Sequence, residues 1–251
     1  MGAEAMRMRG FSLIELMVAM ALGVVLMLGV VNIFSSVRAS TQLEQNISRM
    51  QENGRFLMNF MLKQLHDAGY RGLPGQELNI SAVASPATGA TAEGGGTAAD
   101  SVQVNYVSNY NCSGLQQAVF ALKTVVFSWS ADVDPTGNTS PGVLWSCTYD
   151  GVAEVNNQPL ADGIQTLQVL YGEDTDDDGA PNQYLDANNV GDWSRVVSLE
   201  VGVLVQSPDT GLALGAGDTV QLLGQDFEPD ANGRLLKPFA TTVALRNVIN
   251  M

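Results

Sequence analysis

Residues Gly10-Phe11-Ser12-Leu13-Ile14-Glu15-Leu16 constrain this chain more than any other stretch. They follow Arg7 and Arg9 and open an apolar run over residues 11–34 in which Glu15 is the single charge. About 20 apolar residues at a helical rise of 1.5 Å each cross a bilayer, so the run is long enough to span one. A carboxylate near the end of a membrane span is costly, which points to a function for Glu15. Snorkelling toward headgroups is the plainer account of it. The basic residues come first, so the positive-inside tendency leaves residues 1–10 in the cytoplasm and sends the chain beyond Phe34 outward. An ordinary secretory leader has a shorter apolar core and a small-residue cleavage site after it. Met6 or Met8 could serve as the start, because the residues before them add no recognisable signal.

The short basic leader and the heptad together resemble the type III signal of type IV prepilins and pseudopilins. That resemblance implies cleavage by a prepilin peptidase after Gly10, an N-methylated Phe11 as the new amino terminus, and retention of the apolar segment. It also implies that the Glu15 carboxylate pairs with the Phe11 ammonium of a neighbouring subunit, a strong attraction where little water screens it.

The chain has 251 residues, 45% hydrophobic and 15% charged, enough for one core plus a membrane segment. Of its 26 acidic and 12 basic residues, the leader holds Glu4, Arg7 and Arg9, which leaves 25 and 10, a net charge of −15. Such a surface suits nucleic-acid phosphates poorly, since their binding relies on Lys and Arg, so no nucleic-acid partner is expected. Cys112 and Cys147 both lie beyond the span, where an oxidising periplasm favours a disulfide over two buried thiols. They form neither a CxxC motif nor a metal-ligand spacing.

From residue 11 to about 68 the chain lacks proline and keeps a helical pattern. Leu43, Ile47, Met50, Leu57, Met61 and Leu65 recur at three- and four-residue steps, with Gly54 on the same stripe, giving an amphipathic spine after the membrane segment. Gly69, Gly72 and Pro74 stop it. Residues 81–99 form a tract rich in Ala, Gly, Ser and Thr that reads as a surface loop. Strands are expected over 101–107, 118–122, 124–129, 143–148, 164–171, 194–205 and 239–245. Connections are expected at 134–138, at Asn156-Asn157-Gln158-Pro159 and at Ala231-Asn232-Gly233. A long amino-terminal helix followed by strands argues an α+β fold, with the helix on one face of an antiparallel sheet. The division is a leader (1–10), a transmembrane and assembly helix (11–34), and a periplasmic domain (35–251).

Three C-terminal stretches, 167–174 (LQVLYGED), 192–197 (DWSRVV) and 239–247 (FATTVALRN), resemble the PilW group of minor pilins. Membership implies a pilin-like fold and a subunit of the inner membrane that later joins the pilus. Its implied partners are other minor pilins, the major pilin, a tip adhesin and the prepilin peptidase. The J-type pseudopilins of type II secretion share the amino-terminal signal and remain a second reading. A single-span periplasmic binding protein or enzyme is a third, and it predicts an uncleaved leader.

The acidic run Glu173-Asp174-Thr175-Asp176-Asp177-Asp178 precedes Gly179. Asp174, Asp176 and Asp178 match the first, third and fifth ligand positions of a calcium loop. Ala180 could add a carbonyl, and Asn182 a side-chain or water-mediated ligand. The twelfth position is Leu185, with Asp186 one residue late, so an EF-hand proper is not expected, and a solvated acidic turn is the alternative to calcium. Asp226, Glu228 and Asp230 read as a hairpin end, and Asp132 with Asp134 as a turn. His66 suits a helix carboxyl terminus. No Ser- or Cys-centred constellation suggests catalysis, and Trp129, Trp145 and Trp193 are expected in the core.

Overall fold

A single 54-residue helix, α1 (Leu13–His66), opens the structure. The computed structural model describes residues 12–73, 80–84, 99–134, 140–212, 219–228 and 232–248. Its contacts divide the chain into two units, Met1–Gln45 and Asn46–Met251. In the first, the side chains of residues 12–45 are exposed, and the Arg38 guanidinium sits 4.1 Å from the Phe34 ring centroid. The start of α1 satisfies one free N–H in each direction, because Ser12 N donates to Glu15 and Ile14 N donates to Ser12 Oγ.

In the second unit, α1 buries Asn46, Met50, Gly54, Leu57, Met58, Met61 and Leu65. The stripe read from sequence is therefore corrected at its start, because Leu43 and Ile47 are exposed at 37% and 36%. Asn46 takes the inward position instead. Its amide donates to Asp209 Oδ2 at 2.9 Å and accepts from Asp209 N at 3.1 Å, which makes a buried polar residue affordable. At the far end, the Asn247 amide donates to the carbonyls of His66 and Ala68, which lack helical partners. Gly69 then turns the chain at φ +79°.

Among the described residues the strands form three sheets rather than the single sheet anticipated. β1 (Val83–Ala84), β2 (Ser101–Tyr110), β3 (Gln116–Ser130), β4 (Gly142–Tyr149) and β5 (Val152–Asp162) make an antiparallel sheet in chain order. β6 (Ile164–Glu173), β7 (Gln183–Leu185), β8 (Val196–Gln206) and β11 (Leu236–Ala244) form a second, ordered β11-β8-β6-β7. β9 (Val220–Leu222) and β10 (Gln225–Phe227) pair as a small hairpin. The two larger sheets meet where Asp100, just before β2, donates to Leu167 O and accepts from Val169 N. Asp100 thus continues the ladder of β6 with a side-chain oxygen.

Several expected strands change shape. The pair read over 118–122 and 124–129 is one strand, β3, because Lys123 between them is buried under the Tyr106 ring rather than marking a turn. The stretch at Asn156-Asn157-Gln158-Pro159 lies inside β5 instead of connecting strands. β5 is a sheet edge with register shifts against β4 and Asn157 at φ +46°, an irregularity that accommodates a proline and polar residues. β8 begins at Val196, two residues later than expected, after a 3-10 turn over Trp193–Arg195.

The core lies between α1 and the inner faces of the two larger sheets. Val102, Val104, Val125 and Phe127 face it from one sheet, and Leu167, Val169, Tyr171, Leu199, Val201 and Val203 from the other. Fully burying an aliphatic side chain stabilises a fold by about 1.5–3 kcal/mol, so this cluster dominates the favourable side of the balance. All three tryptophans pack against it. Trp145 stands 5.5 Å edge-on to Phe60, Trp193 stands 4.9 Å from Tyr171, and Trp129 Nε1 donates to Ile164 O.

Candidate functional site

Three places concentrate the chemistry expected from sequence. At the start of α1, Gly10 and Phe11 lie outside the described residues. Glu15 is the acidic residue of the first helical turn, and its Oε2 accepts from Ser12 N at 3.1 Å. The Ser12-x-x-Glu15 spacing is that of a capping box, a signal present in the sequence and not used in reading it. A carboxylate there also complements the positive end of the helix dipole. α1 is long and apolar enough to cross a membrane.

The second place is the Cys112–Cys147 disulfide, which closes a separation of 35 residues. Cys112 sits in the loop between β2 and β3, and Cys147 lies almost fully buried in β4. The loop is further tied by Glu154 of β5, whose carboxylate accepts from Cys112 N at 2.7 Å and from the Asn111 amide at 3.3 Å. Beneath it, Lys123 Nζ donates to Asn111 O. Burial pushes the Lys123 ammonium below its ordinary pKa, against the opposing pull of Asp67 and Glu154. Burial, with the Asp67 charge, likewise pushes the Tyr106 hydroxyl up. Neither Glu154 nor Lys123 had a distinguishing signal in the sequence.

The third is the acidic loop after β6. The structure brings the carboxylates of Asp174, Asp176 and Asp178 together, with ligand oxygens all within 4.8 Å of one another. Asp174 is buried, and its carboxylate accepts from the N–H groups of Asp176, Asp177 and Gly179 at 3.2, 2.7 and 2.8 Å. Burial works to raise its pKa, but these donors outweigh it and hold the carboxyl below the usual range. Asp178 accepts from Ala180 N. Asn182 Oδ1 is turned to Thr175, accepting from its N–H at 2.6 Å, and Asp186 precedes the 3-10 turn Ala187–Asn189 outside the acidic group.

A protein cation also braces the loop. Arg195 forms a two-pronged pair with Asp177 at 3.0 and 3.1 Å and donates to Thr175 O. The charge of the run is thus partly offset from within the chain. Three clustered carboxylates still offer the hard oxygen ligands that calcium takes.

The remaining candidates lie apart from these three places. Asp132 Oδ1 accepts from Asp134 N and Ser140 N, which makes that pair a turn. Asp226 lies in β10 and Glu228 just after it, while Asp230 falls outside the described residues. His66 is the last residue of α1.

Comparison with known proteins agrees with this arrangement. Residues 5–31 match the prokaryotic N-terminal methylation motif, and residues 134–247 match the family described as type IV pilus-assembly protein W. The pilin-like protein PilA3 of Thermus thermophilus is 28% identical over 167 residues, which cover 65% of this chain and 66% of that protein, just under two thirds of its length. A type IV-like pilin from Thermus thermophilus, TTHA1219, aligns with a TM-score of 0.47 at 16% identity, over 82% of this chain and 98% of that one. A methylation motif on a long apolar helix, followed by antiparallel sheets, defines the class of type IV pilin-like proteins. Within that class, the stretch 134–247 is similar to the PilW family.

Proposed function

We propose that this chain is a minor pilin that helps prime type IV pilus assembly and forms part of the pilus tip complex. The observation that carries this reading is the combination of a Glu15-bearing apolar helix with a PilW domain. Before assembly the chain sits in the inner membrane as a single-pass protein with its domain in the periplasm. Prepilin peptidase removes residues 1–10 and Phe11 is methylated. The helix then leaves lipid and packs beside the major pilin and sibling minor pilins, and the domain surfaces set the order of neighbours up to a tip adhesin. Adhesion and twitching motility follow from the fibre rather than from chemistry in this subunit, to which we assign no catalytic activity.

Glu15 exchanges its bond to Ser12 N for the Phe11 ammonium of a neighbour. The test is Glu15→Ala in the full chain, which should still insert in the membrane yet be absent from sheared pili. Normal incorporation of that variant would overturn the assembly role. Mass spectrometry of the mature amino terminus should find methylated Phe11, and an uncleaved Met1 would favour a permanently anchored periplasmic protein instead. A J-type pseudopilin of type II secretion shares these steps, and loss of secretion rather than of pili on deletion would identify it.

The reading includes calcium as an optional ligand of Asp174, Asp176 and Asp178. Arg195 supplies the loop's order without it, so calcium tightens a formed loop rather than creating one.

A further inference from the structure

We propose that the disulfide-bound tip of the β2–β3 hairpin, together with the β4–β5 turn, is a docking surface for a partner protein with an apolar knob and a basic rim. The inference rests on the assembly reading above and names the surface through which the domain meets its neighbour at the tip.

The surface is apolar where the fold does not need it to be. Leu115, Val119 and Val152 are exposed at 64%, 65% and 63%, and Tyr110, the strand partner of Gln116, at 49%. They come from two hairpins that the structure ties into one body. Tyr149 sends its hydroxyl to both Ser108 O and Val119 O, Asp150 N donates to Leu122 O, and Val152 pairs directly with Tyr149. Tyr149 links the two valines, since its hydroxyl reaches Val119 O while its backbone pairs with Val152. Val119 and Val152 therefore flank one side chain. The first part of β3, up to Leu122, pairs with β2 alone, since β4 begins pairing only at Lys123, and the loop at Cys112 folds back onto β4 at Cys147.

A hairpin end with exposed apolar side chains would ordinarily be a flexible liability. This one is held by the Cys112–Cys147 bond, by Glu154 and by Lys123. Holding it in place lowers the ordering cost of binding. The tip lies at the end of the domain where α1 finishes, beyond the contacts of Tyr106 with Gln64 and of Val107 with Tyr70.

Charge selects the occupant. In segments 108–123 and 149–155 the exposed charged side chains are Asp150 and Glu154, while Lys123 is buried. The mature chain carries 25 acidic against 10 basic residues, so a second copy meets this rim with like charge. A partner of opposite rim charge, contacting Leu115, Val119 and Val152 with an apolar side chain, fits better.

The experiment uses the full chain in cells, with a photo-crosslinking residue at Val119 or Val152 and at exposed Asp162 as a control. Epitope-tagged copies of each sibling minor pilin, of the major pilin and of this chain are the probes. The expected result is one heterologous crosslink from Val119 and Val152 and none from Asp162, cut about threefold or more by Asp150→Lys. The double variant Val119→Asp/Val152→Asp should remain in the membrane at normal level and oxidised at Cys112–Cys147, yet lower that crosslink at least about tenfold. Crosslinks solely to a second copy, no crosslink at all, or an undiminished one in the double variant would each overturn the proposal. Pili that need this chain but not its tip residues would end this inference and leave the assembly reading standing. Pili that form normally without the chain would end the assembly reading.

Discussion

The ring of Phe239 in β11 occupies the space a side chain at Gly54 would fill: a Cβ built on Gly54 would lie 2.7 Å from Phe239 Cδ2 and Cζ. The absence of a side chain at one helical position therefore fixes how closely the second sheet approaches α1. A glycine in a helix interior costs about 1 kcal/mol relative to alanine, so its place here is explained by packing rather than propensity. Overpacking typically costs about 1–3 kcal/mol, and we expect Gly54→Val to lower stability by that amount. Urea unfolding checks it, and a midpoint unchanged from the parent would show that Phe239 swings aside freely.

Removing the disulfide should be felt mainly in the first sheet. Closing a 35-residue separation is worth about 4 kcal/mol in the chain-entropy account. Cys112→Ser/Cys147→Ser should lose about 2–4 kcal/mol, and reductant should lower the parent protein but not the double variant. Hydrogen exchange should speed first in residues 108–122, which the bond ties to β4.

Acid should loosen the loop after β6 before the rest of the domain. Asp174 titrates low because the N–H donors of Gly179, Asp177 and Asp176 outweigh its burial, and Asp192 because Ser194 donates to it through both hydroxyl and N–H. A carboxyl whose folded pKa lies below its unfolded value, about 3.9, adds stability above that pH and loses it as pH falls through the folded value. Stability from these two groups should hold from neutrality down to about pH 4 and decline below it. Carboxyl NMR titration locates both groups, and a midpoint above the model-peptide value for either would contradict the reading.

Calcium should raise the unfolding midpoint without changing the fold. At a hundredfold excess over its dissociation constant a ligand of the native state stabilises by about 2.7 kcal/mol. Asp176→Ala should abolish the calcium-dependent part of this stabilisation, since Asp176 is exposed and its carboxylate joins the group of three. Isothermal titration showing no heat with the parent chain would remove calcium from the account.

Arg195→Ala should open the loop further than Asp177→Ala does. Arg195 holds the Thr175 carbonyl as well as Asp177, at 37% exposure against 75% for the carboxylate. Exposed ion pairs contribute up to about 1 kcal/mol, so the expected effect is of that order. Thermal unfolding of both variants makes the comparison, and equal losses would assign the whole effect to the ion pair.

The parts legible in the sequence were those with an unambiguous period or pairing. The apolar run and stripe gave α1, and the alternating runs at 164–171 and 239–245 lie within β6 and overlap β11. Two cysteines beyond the span gave the disulfide. β5 was hidden because an outer edge strand buries few side chains and so carries little hydrophobic signal. Lys123 misled for the opposite reason: a charge inside an apolar run looks like a break, and only the Tyr106 ring and the Asn111 carbonyl make its burial tolerable. The inward turn of Asn46 depends on Asp209, 163 residues away in sequence, which no local pattern reveals. The acidic triad was legible as spacing, whereas Arg195 as its counterweight required the fold.

Asn247, just past β11, closes the carbonyl end of α1. One side chain therefore fastens the last turn of the helix to the last strand of the second sheet. Losing that amide, as in Asn247→Ala, would let both ends work loose together rather than one at a time.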